Sequence, residues 1–287
     1  MSRKFALWSI PVALLVFLLK LLAWRMTGSV ALLSDALEST VNVIAAGLAY
    51  YAVRLADKPA DSRHPFGHTK AEYLSAVAEG VMILFAALLV IREAIAALPN
   101  PHIEDAPMLG IGVNIVAAII NGLWAYALLR VGRRNRSPAL LASARHILTD
   151  VLTSAGVVVG VILASATGWL ILDPILAILV ALNILREGWH VISESVDGLM
   201  DASIDAVTRA EVESLIAREM AGALEFHDLK ARFSGAILFA EFHLVVGQNM
   251  SVGRAHDICD RIEHALETKF PGSSFTIHVE PETERKT

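Results

Sequence analysis

The sequence lacks the features that mark disulfide-stabilised or nucleic-acid-binding proteins. Its only cysteine is Cys259, so no disulfide can form within the chain, which fits a reducing compartment. The net charge is -5, and no run of Lys or Arg provides the basic surface that nucleic acid requires. A low-complexity tract and a repeat of about 20–50 residues are also missing, which argues against a repeat protein. Nucleic acid is therefore not an expected partner.

Charged residues are scarce as well, and they are unevenly distributed. They make up 18% of the chain, against 55% for hydrophobic residues. Crossing the roughly 30 Å hydrocarbon core of a bilayer takes about 20 apolar residues. Windows of that length predict six transmembrane spans, at residues 5–24, 29–53, 73–98, 108–130, 139–166 and 169–193. Because the rest of the sequence is polar and charged, we expect a transmembrane domain at 1–196 and a soluble domain at 197–287.

The first apolar stretch has a basic head but no signal-peptide cleavage site. Lys20, Trp24 and Arg25 stand where small residues would be needed, so this stretch is predicted to remain as the first span. Basic residues precede the first span and cluster in the loops between spans two and three and between spans four and five. By the positive-inside rule these segments are cytoplasmic, and an even number of spans places both termini there.

The soluble domain alternates between two periodicities. RAEVESLIAREM and VGRAHDICDRIEHALETKF have apolar residues at helical spacing, whereas LEFHDLKARF, AILFAEFHLVV and SSFTIHVE read as strands. The resulting α-β-β-α-β order predicts a small open-faced α+β sandwich.

Two predicted spans carry polar residues that are costly in a bilayer unless they are paired, hydrated or bound to a ligand. Within each span, two of these residues are four positions apart, so they project from one helical face with Cβ atoms about 5–6 Å apart. Two such faces turned toward each other would form a four-ligand pocket. The polar residues are Asp35, Glu38 and Asn42 in the second span, and Arg145, His146 and Asp150 in the fifth.

A carboxylate, an amide oxygen, an imidazole and a second carboxylate suit a divalent first-row metal ion. The alternative is that these side chains only join the helices by hydrogen bonds. A similar choice applies to the stretch PADSRHPFGH, which holds Asp61, His64 and His68 in a short loop. These three could hold a second metal ion, or they could cap the third span and meet the lipid surface.

Together, SDALESTVN, HPFGHTKAE, HILTD and the soluble-domain motifs FHD, FHL, AHD and IHVEP resemble the cation diffusion facilitator family of metal-ion transporters, and most of all its bacterial iron- and zinc-efflux members. The resemblance implies a six-span homodimer of the bacterial inner membrane that exchanges a cytoplasmic divalent metal ion for protons. It also implies a metallochaperone-like, ferredoxin-like cytoplasmic domain that dimerises. No catalytic cofactor is expected, because the metal ion is substrate and regulatory ligand.

The resemblance also assigns residues, and this sequence departs from the family at some of them. Asn42 and Glu38 stand where bacterial iron/zinc members usually have aspartates, Glu280 replaces an aspartate, and Arg145 replaces an apolar residue. The implied transport site is Glu38, Asn42, His146 and Asp150; the loop site is Asp61, His64 and His68; the cytoplasmic site is His227, His243, His256, His278 and Glu280. By the resemblance, Lys70 and Asp201 form a charge interlock. Arg145, which departs from the family, could pair with Asp35 as a gate that holds the two helices in the resting state, or it could face a water-filled vestibule.

The expected function is efflux of a divalent metal ion by proton antiport, with zinc first, ferrous iron second, and cobalt or manganese as alternatives. A membrane-anchored metal sensor and an intramembrane metalloenzyme are the other classes. The enzyme is disfavoured because the chain has no H-E-x-x-H motif, and because a site filled by four ligands leaves no open position for water.

Overall fold

The computed structural model describes residues 2–27, 30–99, 108–169 and 171–286. Within these ranges some helical side chains are not described, among them those of Asp35 and Glu38. The chain divides into two compact units, Met1–Val196 and Asp197–Thr287, and each is considered by itself.

The six predicted spans correspond to six long helices. Each has 26–30 residues, which at 1.5 Å per residue is at least about 39 Å and exceeds the hydrocarbon thickness. They are α1 (Ser2–Thr27), α2 (Val30–Ala56), α3 (Ala71–Ala97), α4 (Met108–Asn135), α5 (Pro138–Thr167) and α6 (Leu172–Leu199). Among the described residues, four segments are both long enough and apolar enough to cross a membrane: Ser2–Leu22, Ala71–Ala97, Ile115–Asn135 and Pro174–Leu199.

Large apolar side chains point outward from these helices, and small ones pack between them. Phe85, Leu123 and Leu179 are all more than half exposed, as suits a surface that faces lipid. Helix α5 belongs to two packed clusters. One joins it to α1, α2 and α4, and the other joins it to α3 and α6.

Glycines allow α3 and α6 to approach closely. A Cβ atom on Gly80 would lie 2.6 Å from Cγ1 of Ile192, and one on Gly188 would lie 2.9 Å from Cδ2 of Leu84. Close approach of helices at small residues is typical of helix packing in membranes.

The beginnings of α3 and α5 are joined by a buried hydrogen bond. Ser137, the residue before α5, donates its hydroxyl to the carboxylate of Glu72 in the first turn of α3. Both side chains are buried. This contact connects the loop that contains His68, which runs directly into α3, to the helix that carries His146.

The second unit has the predicted α-β-β-α-β order. Its elements are α7 (Ala206–Glu219), β1 (Glu225–Ser234), β2 (Ile237–Val246), α8 (Val252–Lys269) and β3 (Ser274–Pro281). The sheet order is β1-β2-β3, with β1 antiparallel and β3 parallel to β2. Gly235, with φ +58°, supplies the left-handed backbone of the tight turn between β1 and β2.

Helices α7 and α8 pack on one face of this sheet. Leu238, Phe242 and Leu244 alternate along β2 toward them and form one core with residues of both helices. Cys259 lies in that core, as an ordinary packed cysteine would. The opposite face of the sheet therefore remains for polar side chains, including His243.

Candidate metal sites

Three of the four predicted transport-site residues form a buried hydrogen-bonded chain between α2 and α5. The amide nitrogen of Asn42 donates to Oδ2 of Asp150, and Oδ1 of Asn42 lies 2.8 Å from Nε2 of His146. All three side chains are at least 91% buried. The fourth residue, Glu38, lies one helical turn before Asn42 on α2, and its side chain is outside the described part of the chain.

The predicted loop residues also lie together. Oδ1 of Asp61 is 3.4 Å from Nδ1 of His64, and Oδ2 is 3.4 Å from Nε2 of His68. One potential ligand atom from each of the three lies within 4.8 Å of the others. The two 3.4 Å separations are close to the spacing of two ligands on one tetrahedral ion, given bond lengths of about 2.0–2.2 Å.

The loop cluster is organised by its own backbone. Oδ1 of Asp61 accepts hydrogen bonds from the backbone N–H groups of Arg63, at 2.9 Å, and His64, at 2.8 Å. These bonds, the one to His64 first, lower the pKa of the Asp61 carboxyl, so it stays ionised and able to bind a cation. Gly67, with φ +83°, turns the chain so that His64 and His68 face each other with ring centroids 4.4 Å apart.

In the second unit, strand register places three predicted histidines in a row. His227 on β1 is opposite His243 on β2, which is beside His278 on β3. The ring centroids are 5.3 Å and 5.0 Å apart. Glu280 reaches this row from β3, with oxygens 3.2 Å from Nε2 of His227 and 2.8 Å from Nδ1 of His243.

Asp228 lies beside the histidine row, and the sequence did not predict it as a ligand. A bulge between His227 and Lys230 interrupts the regular alternation of β1, and Asp228 adopts φ +53° within it. His227, Asp228 and His243 consequently offer ligand atoms within 4.8 Å of one another. A hydrogen bond from Lys286 is the main cause that lowers the pKa of the Asp228 carboxyl. The adjacent letters H-D were a visible signal, but a regular strand would have put the two on opposite faces.

His256 does not join the histidine row within one chain. It lies on α8, which packs on the other face of the sheet, and its side chain is 71% exposed with Asp260 3.6 Å away. A cytoplasmic site that includes His256 stays a prediction.

Arg145 pairs with a residue that the sequence did not suggest. Its guanidinium donates to Oε2 of Glu194 on α6, at 2.9 Å. The predicted partner, Asp35, has a side chain outside the described residues, so the gate stays a prediction. The Lys70–Asp201 interlock would join the two units and also stays a prediction; within its own unit, Asp201 lies 3.1 Å from Arg232.

A buried carboxyl in α3 was also missed. Glu79 is fully buried, and within the described part of the chain neither of its oxygens has a hydrogen-bond partner. An acidic residue inside the predicted third span was the signal that could have identified it.

Comparison with known proteins covers nearly the whole chain. Residues 6–200 match the cation efflux transmembrane domain, and residues 204–282 match the cytoplasmic domain of cation efflux proteins. The uncharacterized transporter sll1263 of Synechocystis sp. is 44% identical over 98% of this chain and 91% of its own. The cation-efflux pump FieF of Salmonella paratyphi A is 32% identical over 93% and 88%. A solved structure of CzrB in its zinc form is 44% identical, covers 30% of this chain and 99% of its own, and has a TM-score of 0.29.

Proposed function

Since this chain belongs to the cation diffusion facilitator family of cation efflux transporters, we propose that it exports a divalent transition-metal ion from the cytoplasm in exchange for protons. Zinc is the first candidate and ferrous iron the second. The protein is an integral membrane transporter rather than an enzyme, and its cytoplasmic domain is of a dimerising type. We place it as a homodimer in the bacterial inner membrane, in contact with lipid and with both termini in the cytoplasm.

The observation that carries the proposal is the contact of Asn42 with both His146 and Asp150. Polar groups buried in a membrane domain are costly, and their convergence from two helices is what a binding site for a cation needs. With Glu38 as the fourth ligand, these residues would surround the ion with three oxygen donors and one nitrogen donor.

Proton exchange follows from the chemistry of these ligands. An imidazole nitrogen or a carboxylate oxygen that binds a metal ion cannot keep its proton, so binding of the ion releases protons and its departure takes them up. If the site opens alternately to each side of the membrane, protons that enter down their gradient drive the metal ion out.

The choice of metal rests on the ligand set. Two carboxylates, one amide and one imidazole suit zinc and ferrous iron, while the oxygen-rich composition keeps cobalt and manganese as alternatives. The protein reconstituted in sealed vesicles, with an imposed pH gradient, should transport zinc fastest of these four ions. Accumulation of none of them would contradict the proposal and favour a metal sensor; a different leading ion would contradict only the ranking.

Asn42→Asp should change the order in which metal ions are transported. The substitution adds a negative charge beside Asp150, so the site without a metal ion is more easily protonated. With a metal ion bound, the net charge of the site is closer to that of related transporters. Competition between zinc and the other three ions measures the order in both proteins. An unchanged order would show that Asn42 does not determine selectivity.

Charge reversal at Lys70 should loosen the transmembrane domains relative to the cytoplasmic domains. An exposed ion pair contributes about 0–1 kcal/mol, so Lys70→Glu should reduce cross-linking between protomers by up to about five-fold. Lys70→Glu with Asp201→Lys should restore it. Arg232→Gln removes the pair with Asp201 and a cation–π contact with Phe239, both within the cytoplasmic domain, and should leave cross-linking unchanged. If Lys70→Glu alters neither cross-linking nor flux, the interlock is wrong.

A further inference from the structure

The transport-site histidine has a second ring nitrogen whose surroundings point to a water site. Nδ1 of His146 is buried and has no hydrogen-bond partner among the described residues. A metal-binding histidine usually has its other ring nitrogen held by a carboxylate, a carbonyl group or a water molecule. The partner on this side of the ring is therefore not one of the described groups of the chain.

The hydrogen bonds of Asn42 determine whether the partner of Nδ1 must donate or accept a hydrogen bond. A carboxylate only accepts, so Asp150 takes the amide N–H of Asn42, and the amide oxygen faces Nε2 of His146. That oxygen also only accepts, so Nε2 carries a hydrogen while the metal is absent. In the neutral ring, Nδ1 is then an acceptor and needs a donor. When a metal ion takes Nε2, the hydrogen belongs on Nδ1, which then needs an acceptor.

His146 also helps to line a cavity that could hold such a partner. It offers ≈ 10 Å³ to a water molecule, which is about the space that one water requires. The described polar side chains that line it are Ser9, Ser39, Asn42, Asn121, Ser143 and His146, from four helices. Water is the natural occupant, because it both donates and accepts and because the lining is polar enough to hold it.

Asn121 reaches the cavity from α4, a helix that, like α1, carries none of the proposed ligands, and its side chain is buried. Its amide offers a donor and an acceptor to the same water. By contrast, the hydroxyl of Ser9 already accepts from Nε1 of Trp124, at 3.0 Å, and donates to the carbonyl of Phe5, at 3.1 Å.

We propose that the cavity between α1, α2, α4 and α5 holds one ordered water molecule, and that this water connects Asn121 to Nδ1 of His146. Asn121 is then a positioning residue: it orients the imidazole and supports either tautomer, so the metal ion and the hydrogen can exchange on Nε2. This inference rests on the proposed transport function and adds α4 to the site.

Substitutions of Asn121 in the full-length protein separate this role from packing. Asn121→Leu keeps a similar shape but cannot hold the water, so the KM for zinc flux should rise by about 10-fold or more, as for other residues that support a metal ligand. Asn121→Ser leaves a larger space but keeps a polar group for water, so its KM should stay near that of the original protein. Val12→Ala, at an apolar position of the same cavity, is the control and should leave KM unchanged.

Two results for the Asn121 variants would overturn the water site. If Asn121→Leu leaves KM unchanged, or if Asn121→Ser raises it equally, Asn121 has only a packing role and the inference is overturned. A His146→Ala variant identifies failure of the proposed function itself, because that variant must lose flux if His146 binds the ion. Loss of flux in His146→Ala with normal KM in Asn121→Leu would therefore reject the water site alone.

Discussion

Replacing Asp150 with alanine should abolish metal transport while leaving a folded dimer. The substitution removes a proposed charged ligand and also the acceptor that orients the amide of Asn42. The loss should exceed the about 10–100-fold that follows loss of a supporting residue around a metal ligand. Zinc flux into proteoliposomes measures it, and size-exclusion chromatography checks the dimer.

Two further substitutions separate charge from hydrogen bonding and from packing. Asp150→Asn keeps an oxygen that can accept from Asn42 but lacks the charge, so it too should be inactive. Thr153→Ala, one turn away, removes a hydroxyl that donates to the backbone carbonyl of Asp150 at 2.9 Å, and it should retain flux. Substantial zinc flux in Asp150→Ala would show that the transport site is elsewhere.

The isolated cytoplasmic domain should be a dimer that zinc makes more heat-stable. A ligand that binds only the folded state at 100 times its Kd adds about 2.7 kcal/mol. For a domain of this size, about 4–8 °C per kcal/mol gives a rise in Tm of roughly 10–20 °C. Scanning calorimetry of residues 197–287 with and without zinc measures this rise.

Variants of the domain test which side chains bind the ion. His243→Ala and His278→Ala should each remove most of the gain, because both side chains belong to the histidine row. His264→Ala, on an exposed position of α8, is the matched control and should keep the whole gain. If the original domain gains no stability, or if the His243 and His278 variants gain as much, the domain serves only for dimerisation.

The sequence predicted the elements better than the contacts between them. Apolar runs and alternating periods gave six long helices and the α-β-β-α-β order, because local burial patterns determine both. The i, i+4 spacing of His146 and Asp150 likewise placed them on one face of α5.

The sequence pattern could not predict contacts that depend on how the helices and strands pack. The bulge that turns Asp228 toward His227 depends on the register between two strands. The bond between Ser137 and Glu72, and that between Arg145 and Glu194, join residues distant in sequence. Such pairs depend on how each helix is rotated relative to its neighbours. The spacing of residues within a single helix gives no information about that rotation.

The central claim is exchange of a metal ion for protons through the α2–α5 site, and one measurement tests it directly. Zinc and internal pH are recorded together in proteoliposomes that contain the full-length protein, with and without an imposed pH gradient. Proton antiport predicts that zinc accumulates in the vesicles above its external concentration only when protons flow the other way, and that zinc added alone drives protons out of the opposite compartment. Zinc movement with no accompanying pH change would contradict it.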